Sequence, residues 1–321
     1  MSGATPRVGG GREEDGAIGL DQIYTKPAVA DRCLRFLLDT LDGLRDVRRD
    51  RVLYVEPSAG EGCFLDLLPA GRRIGIDIEP QRPGIIRHDF LTWPFEDTIE
   101  DPRHTVVVGN PPFGHRSRLA IRFFNRAAAM ANTIAFVVPV QFRKYSVHKN
   151  LRPGFRWIAT LGLEGPAFYT RAEADYRLNA EFQVWTREAN HDFEDMRLLS
   201  PPAIRHADFE MWQYNNTPGA LKVFDHDFDF AVPRQGYQDY SRRETSADRC
   251  ERTKQWILFK AGTPAVLDRL LSMDFAALSQ NNTITPGFGK ADVVKEYLRI
   301  TRQENGAGSP AAGQRDRRAG G

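Results

Sequence analysis

Cysteine is scarce in this 321-residue sequence, with only Cys33, Cys63 and Cys250. Three thiols cannot build a disulfide framework, and no CxxC or Cys/His spacing suggests zinc. The expectation is a reducing, cytoplasmic-type compartment and no bound metal. Long apolar runs are missing too. No stretch of the length a membrane span needs (about 18 residues) is apolar throughout, so no transmembrane helix and no membrane partner are expected. Residues 1–19 are Gly-rich and charged, without the apolar core of a secretory signal. Neither sign of charge dominates: 44 Lys+Arg face 42 Asp+Glu, a net charge of +2. That balance excludes a histone-like basic binder, so any nucleic-acid contact must come from a local patch. No internal repeat is present.

What is there suits a globular chain. Apolar residues make up 41% and charged residues 27% of the sequence, and the length predicts two domains. Residues 1–18 and 303–321 lack apolar periodicity and read as disordered tails. Arg315, Arg317 and Arg318 read there as solvated charge. Between the tails, residues 19–190 alternate strand and helix patterns. Pro27–Leu44 places Val29, Cys33, Phe36, Leu37, Leu41 and Leu44 on one helix face, with proline near its start. Arg51–Val55, Arg73–Ile78, Thr105–Val108, Thr133–Pro139 and Glu181–Trp185 read as strands. Cys63–Leu68 reads as a helix start, and Ser117–Ala131 as a helix. Apolar strands alternating with helices predict an α/β fold, a parallel sheet covered on both faces. Its ligand site should lie outside the carboxyl ends of the strands. From about residue 191 to 302 prolines and aromatics break the pattern, with a strand predicted at Gln255–Phe259 and a helix at Pro264–Met273.

The segment Glu56-Pro57-Ser58-Ala59-Gly60-Glu61-Gly62 lies between a strand and a helix-like stretch. Gly60 and Gly62 allow a tight turn and close approach to a ligand. Asp77, at the next strand end, can accept hydrogen bonds from both hydroxyls of a ribose. The third glycine of a dinucleotide fingerprint is missing, since position 65 is Leu. Glu56 would repel a pyrophosphate but suits a cationic ligand, such as the sulfonium and amino groups of S-adenosyl-L-methionine. Asp89 would fall at the following strand end and could accept from the exocyclic amine of the cofactor adenine, with Phe90 beside the ring. Ser58, Phe64 and Ile78 complete this expected cofactor set.

A second loop, Asn110-Pro111-Pro112-Phe113, follows the apolar strand TVVV. Two prolines remove backbone donors but keep their carbonyls. With the Asn110 side-chain oxygen they make an acceptor-rich pocket beside an aromatic wall. Such a pocket suits an exocyclic amine on a flat base. The Asn110 oxygen and the Pro111 carbonyl would hold the two amine hydrogens and favour a tetrahedral nitrogen that attacks a sulfonium methyl in line. No strong base is needed; positioning and electrostatics carry the rate. Phe113 would stack on a base that has left its helix.

Together, Asp21-Gln22-Ile23-Tyr24-Thr25-Lys26-Pro27, Glu56-Pro57-Ser58-Ala59-Gly60-Glu61-Gly62-Cys63-Phe64 and Asn110-Pro111-Pro112-Phe113 resemble the adenine-N6 DNA methyltransferase family. The motif order is similar to that of its gamma group, and compact phage and bacterial stand-alone members come closest. The likeness covers about residues 20–187 with specific motifs. It implies a Rossmann-like methyltransferase sheet with helices on both faces, a small C-terminal recognition region and DNA as substrate. It also implies that Tyr24, Thr25 and Lys26 line the cofactor and that Glu56 and Pro57 approach its methionine part. RNA adenine is the alternative acceptor, and a catalytically silent nucleic-acid binder is the alternative class. A restriction nuclease as partner is left open.

Two stretches are candidate polymer contacts. Gln141, Arg143, Lys144, His148, Lys149 and Arg152 follow the strand TIAFVVP and read as a phosphate-holding loop or a solvated one. Between Arg234 and Lys260 seven Lys/Arg and four acids are interleaved with Tyr237, Tyr240 and Trp256. This reads as a recognition insert or a small module whose aromatics are core.

Overall fold

The computed structural model describes residues 23–236, 238–280 and 285–307. The expected N-terminal tail, most of the C-terminal one, Asp21, Gln22 and Tyr237 lie outside them. The chain begins with a short strand β1 (Tyr24–Thr25) and a helix α1 (Pro27–Asp42), followed by β2 (Leu53–Glu56), β3 (Arg73–Asp77), β4 (Ile86–Arg87) and β5 (Thr105–Gly109). Next come α2 (Arg118–Met130), β6 (Thr133–Pro139), α3 (Tyr145–His148), β7 (Arg156–Leu163), β8 (Phe168–Tyr169) and β9 (Ala180–Thr186). The C-terminal part holds β10 (Phe209–Tyr214), β11 (Phe230–Pro233), β12 (Trp256–Ala261), α4 (Pro264–Leu271), α5 (Phe275–Ser279) and α6 (Lys290–Ala307).

Seven strands form one sheet in the order β4-β3-β2-β5-β6-β9-β7. The first five are parallel, and β9 runs antiparallel between β6 and β7. The chain steps outward from β2 to β4, then crosses back to β5 and β6, which puts a switch point between β2 and β5. This is a Rossmann-like α/β fold. The strands β5, β6 and β9 are buried along their whole length, as covered strands must be. Their side chains alternate between two cores. Val106, Val108, Ala135 and Val137 meet Cys33, Leu37 and Leu41 of α1. Val107, Ile134, Phe136 and Val138 meet Phe123, Phe124 and Ala127 of α2 on the other face. Each helix buries one apolar stripe, which is what the 3.6-residue spacing of its sequence prescribes.

Some expectations are corrected. No helix forms at Cys63–Leu68; the segment is a turn with one 3-10 turn at Leu65–Leu67. The amides of Phe64 and Leu65 go to the Glu56 carboxylate instead of a helical ladder, and Pro69 keeps Leu68 extended. The strand β7 and the helix α6 have no counterpart among the sequence expectations, and α6 runs to Ala307, past the expected end of the region at 302. The segment after β9 still belongs to the first core. Phe193 packs against the α1 side. Arg197 donates to the carbonyls of His148, Leu151, Arg152 and Phe155. Residues up to Leu198 are thus tied to the first part. Past it, a separate antiparallel sheet β10-β12-β11 and the helices α4 to α6 share a core with Phe209, Phe259, Phe275 and Tyr297.

His148 seals the base of the first part. It is fully buried, its Nδ1 accepts the Leu198 amide at 2.9 Å, and its ring meets Trp157 and Trp185 edge-on. Burial pushes its pKa down to about 4. The unfolded chain takes up that proton near pH 6.5. The stability that neutral His148 contributes is therefore complete above about pH 6.5 and lost as the pH falls towards about 4. Urea unfolding at these two pH values is expected to differ by about 3 kcal/mol through this group. His148→Leu should remove most of that difference; an unchanged difference would mean that other groups set it.

Candidate cofactor and catalytic site

The carboxyl ends of β2, β3 and β5 place Glu56, Asp77 and Gly109 along one sheet edge. The first loop turns at Gly60 (φ +50°) and Gly62 (φ +86°). Any side chain on Gly60 would crowd Tyr24, whose Cε1 lies 3.2 Å from the Cβ position. The Gly60 amide donates to Asp77 Oδ2 at 2.7 Å, and the Glu79 amide to Oδ1 at 2.8 Å. Asp77 thus ties the loop to its strand, and each oxygen keeps a lone pair for a further donor.

Glu56 is 2% exposed. Its carboxylate takes the Phe64 and Leu65 amides, yet Oε2 is buried with no hydrogen-bond partner. Burial, with the Asp77 charge adding to it, pushes the Glu56 carboxyl well above its usual range. A buried acid in that state favours a cation beside it. Gly109 (φ +152°) makes room for the group: its Cβ position lies 3.2 Å from Glu56 Cγ. Gly109 is absent from the sequence expectations, although a glycine immediately before Asn110 is an available signal.

A two-stranded ribbon closes over this loop. The short strand β1 pairs with β8, and Tyr24 stacks on Tyr169 with centroids 5.2 Å apart. The Tyr169 hydroxyl donates to Glu61 Oε2 at 2.9 Å. Thr25 is buried with Oγ1 unpartnered, and its carbonyl accepts from Cys63 Sγ. Tyr24 and Thr25 therefore reach the loop. The Lys26 amine is drawn away into an ion pair with Asp175. Nothing in the sequence singles out Tyr169.

The second loop is held from three sides. Asn110 Nδ2 donates to the Ile23 carbonyl at 3.0 Å, which leaves Oδ1 as the acceptor end of the amide. Ser58 Oγ donates to the Asn110 carbonyl at 2.9 Å; it joins the two loops and does not cap a helix. The Phe113 carbonyl accepts the Leu119 and Ala120 amides, both at 3.2 Å, and so caps the first turn of α2. The chain between them turns through Gly114 (φ +66°), Arg116 (φ 52°) and Ser117 (φ 62°). Two consecutive non-glycine residues in the left-handed region cost about 1–2 kcal/mol each. Pro111 is buried, while Pro112 and Phe113 are half-buried, with Phe113 against the α1-side core.

Two aromatic expectations change. The Phe64 ring is 2% exposed and stacks on Phe182 in the core. The Phe90 ring is 1% exposed and stacks on Phe123 at 5.3 Å. Both rings lie in the core, and the Phe64 amide goes to the Glu56 carboxylate. Asp89 lies two residues past β4, with Oδ1 taking the Leu91 amide at 2.9 Å. Ile78, beside Asp77, is 59% exposed, an open apolar surface next to the acid.

The expected polymer contacts sort differently. Arg143 pairs with the buried Glu181, itself in a chain through Gln183 to Trp185. Lys144 is half-buried, with its pKa lowered by desolvation. Lys149 and Arg152 stay exposed. In the Arg234–Lys260 stretch Tyr240 and Trp256 are core residues. Arg242 pairs with Glu244 and Glu251, and Lys260 with Asp227 and Asp229. Arg243 and Arg252 lie 4.8 and 3.6 Å from the rings of Phe275 and Phe224. These cations hold the small module together, so this stretch is a folded core and not a free basic insert. Among the described residues, no cluster of His, Cys, Asp or Glu is placed to hold a metal, and no helix is long and apolar enough to cross a membrane.

No family model matches the chain, and no curated protein does. Among solved structures, the chain is similar to the M protein of the type I restriction enzyme EcoKI, at 14% identity over 91% of this chain and 75% of that one, TM-score 0.36. It is similar to the type IIL restriction-modification enzyme MmeI in complex with DNA, at 14% identity over 87% of this chain and 53% of that one, TM-score 0.38. It is also similar to magnesium protoporphyrin IX methyltransferase from Synechocystis PCC 6803 with bound SAM, at 13% identity over 50% and 79%, TM-score 0.35.

Proposed function

We propose that this protein is an S-adenosyl-L-methionine-dependent methyltransferase acting on the N6 amino group of adenine in DNA. One observation carries the reading. Asn110 is locked by its Nδ2 to Ile23, which leaves its Oδ1 as the acceptor end; with the Pro111 carbonyl it would form a pair of acceptors for an amine.

The donor set fits the cofactor. Glu56, buried with one oxygen unpartnered, would face its cationic methionine end. Asp77 would take the ribose hydroxyls, with Ile78 and Asp89 on the adenine side. Tyr24 and Thr25 would close the pocket from the ribbon. When bound, S-adenosyl-L-methionine supplies an electrophilic methyl group on a sulfonium. The protein's part is positional. Asn110 Oδ1 and the Pro111 carbonyl hold the two amine hydrogens, which draws the nitrogen towards tetrahedral geometry and frees its lone pair. Phe113 packs on the target ring, and its capped carbonyl keeps the loop still. After transfer the amine is cationic and strongly acidic, so a proton leaves to water without a dedicated base. Burial of the loop raises the worth of these fixed dipoles.

The test is transfer of labelled methyl to unmethylated duplex DNA and, in parallel, to total RNA, followed by nucleoside analysis. N6-methyladenine in DNA supports the reading. Label in RNA alone keeps the chemistry and overturns the polymer. No cofactor binding at all favours a silent nucleic-acid binder with the same fold.

A further inference from the structure

Residues 102–163 carry ten Lys+Arg and not one Asp or Glu, within a chain whose overall charge is nearly balanced. This stretch begins before the catalytic loop and runs through α2, β6 and β7. Some of its cations are used internally. Arg126 donates to the Trp93 carbonyl and lies over Phe95, and Arg143 pairs with Glu181. Arg118, Arg122, Lys149 and Arg152 are exposed, and no ion pair joins them to an acid among the described residues.

These four are neighbours by construction. Positions 118, 122 and 125 fall on one helical stripe of α2, with the two arginines about 6 Å apart along the axis. Asn125 closes that stripe onto the next loop: its Nδ2 donates to the Asn150 carbonyl at 2.9 Å, and its Oδ1 accepts the Arg152 amide at 2.7 Å. The stripe starts at the turn that Phe113 caps. Acids flank the stripe from neighbouring segments: Asp89, Glu96 and Asp97 belong to the segment that meets α2 through Phe90–Phe123 and Arg126–Phe95, and Asp195, whose carboxylate takes the Trp157 and Arg197 amides, lies beside the 148–155 loop that Arg197 holds.

We propose that this stripe, from Arg118 and Arg122 to Lys149 and Arg152, is the track that holds the phosphodiester backbone of the substrate duplex as it leads to the Asn110 pocket. The inference rests on the proposed nucleic-acid substrate. It reassigns polymer binding from the Arg234–Lys260 stretch, whose cations are mostly paired or stacked, to a face of the catalytic domain. Unpaired cations on one continuous face, with no acid among them, match the regular charge of a backbone better than that of a folded protein partner.

The experiment is a salt titration of binding to a fluorescein-labelled DNA duplex, read by anisotropy. The proteins are the unchanged chain, Arg118→Ala/Arg122→Ala, Lys149→Ala/Arg152→Ala and, in the C-terminal module, Arg249→Ala. Each double variant is expected to weaken binding about tenfold and to flatten the slope of log K against log salt by roughly 0.9 for each phosphate no longer neutralised. Arg249→Ala should leave both unchanged. Cofactor affinity and circular dichroism, unchanged in all variants, exclude a folding defect; lysine or glutamine at the arginines gives a second pair. Unchanged slopes in both doubles, a loss confined to Arg249→Ala, or the same slope change on an RNA hairpin but not on the duplex would overturn the proposal. Duplex binding that follows these variants without any methyl transfer would sink the proposed function and leave the track standing.

Discussion

Asn110→Ala is expected to slow methyl transfer by about 10³-fold while the cofactor dissociation constant changes by less than about twofold. The side chain has two ends with separate tasks. Nδ2 is spent on the Ile23 carbonyl, a bond already made before any substrate arrives. In the proposed reaction Oδ1 would act on the amine only as its nitrogen changes shape, so its loss would fall on the transition state. Single-turnover rates at saturating cofactor give the first quantity, and calorimetric titration gives the second. Asn110→Asp separates the two ends. It keeps an acceptor but loses the donor to Ile23, and it places a second carboxylate near Glu56. Its rate should fall as well, because the acceptor is no longer held in place. Turnover retained in Asn110→Ala would remove Asn110 from the chemistry.

Asp77→Ala should raise the cofactor dissociation constant about 50-fold. Two bonds to a carboxylate, from Gly60 and Glu79, are lost together with the acceptors offered to the ribose. Hydrogen bonds to a charged group contribute about 1.5–3 kcal/mol each, and the expected figure is the ligand's share of that. Asp77→Asn keeps one acceptor and should fall between. A dissociation constant unchanged in both variants would reduce Asp77 to a loop anchor. A drop in melting temperature alone, without loss of affinity, would say the same.

The parts legible in the sequence are those with a short physical period or a local partner. The runs TVVV and TIAFVVP are apolar without a break, and only a doubly covered strand tolerates that. Asp77 is legible from its distance to Gly60, and the two are joined by a hydrogen bond. What stays hidden needs a distant partner or a choice of face. Arg156–Leu163 mixes Arg, Thr and Gly into a strand that is buried only in part, so it shows no period. Phe64 and Phe90 lie in irregular segments where no alternation tells inside from outside, and both rings go inward. The Arg234–Lys260 stretch reads as basic because counterions and rings that hold it, such as Asp227 and Phe275, lie beyond one of its ends. Tyr169 is joined to Tyr24 by the sheet alone.

That last pairing sets a schedule. Tyr24 lies over Gly60 on a strand, β1, that hydrogen-bonds to β8, and their sequence positions are separated by nearly half of the chain. During synthesis the glycine loop and both strands beside it are complete long before Tyr169 exists. At ordinary elongation rates of about 5–20 residues per second, the wait from Asp77 to Tyr169 is roughly 5–18 s. Until then the glycine loop lacks the ribbon that closes over it in the folded chain. A nascent chain just short of Tyr169 holds the five parallel strands but still lacks both β9 and the ribbon over the loop.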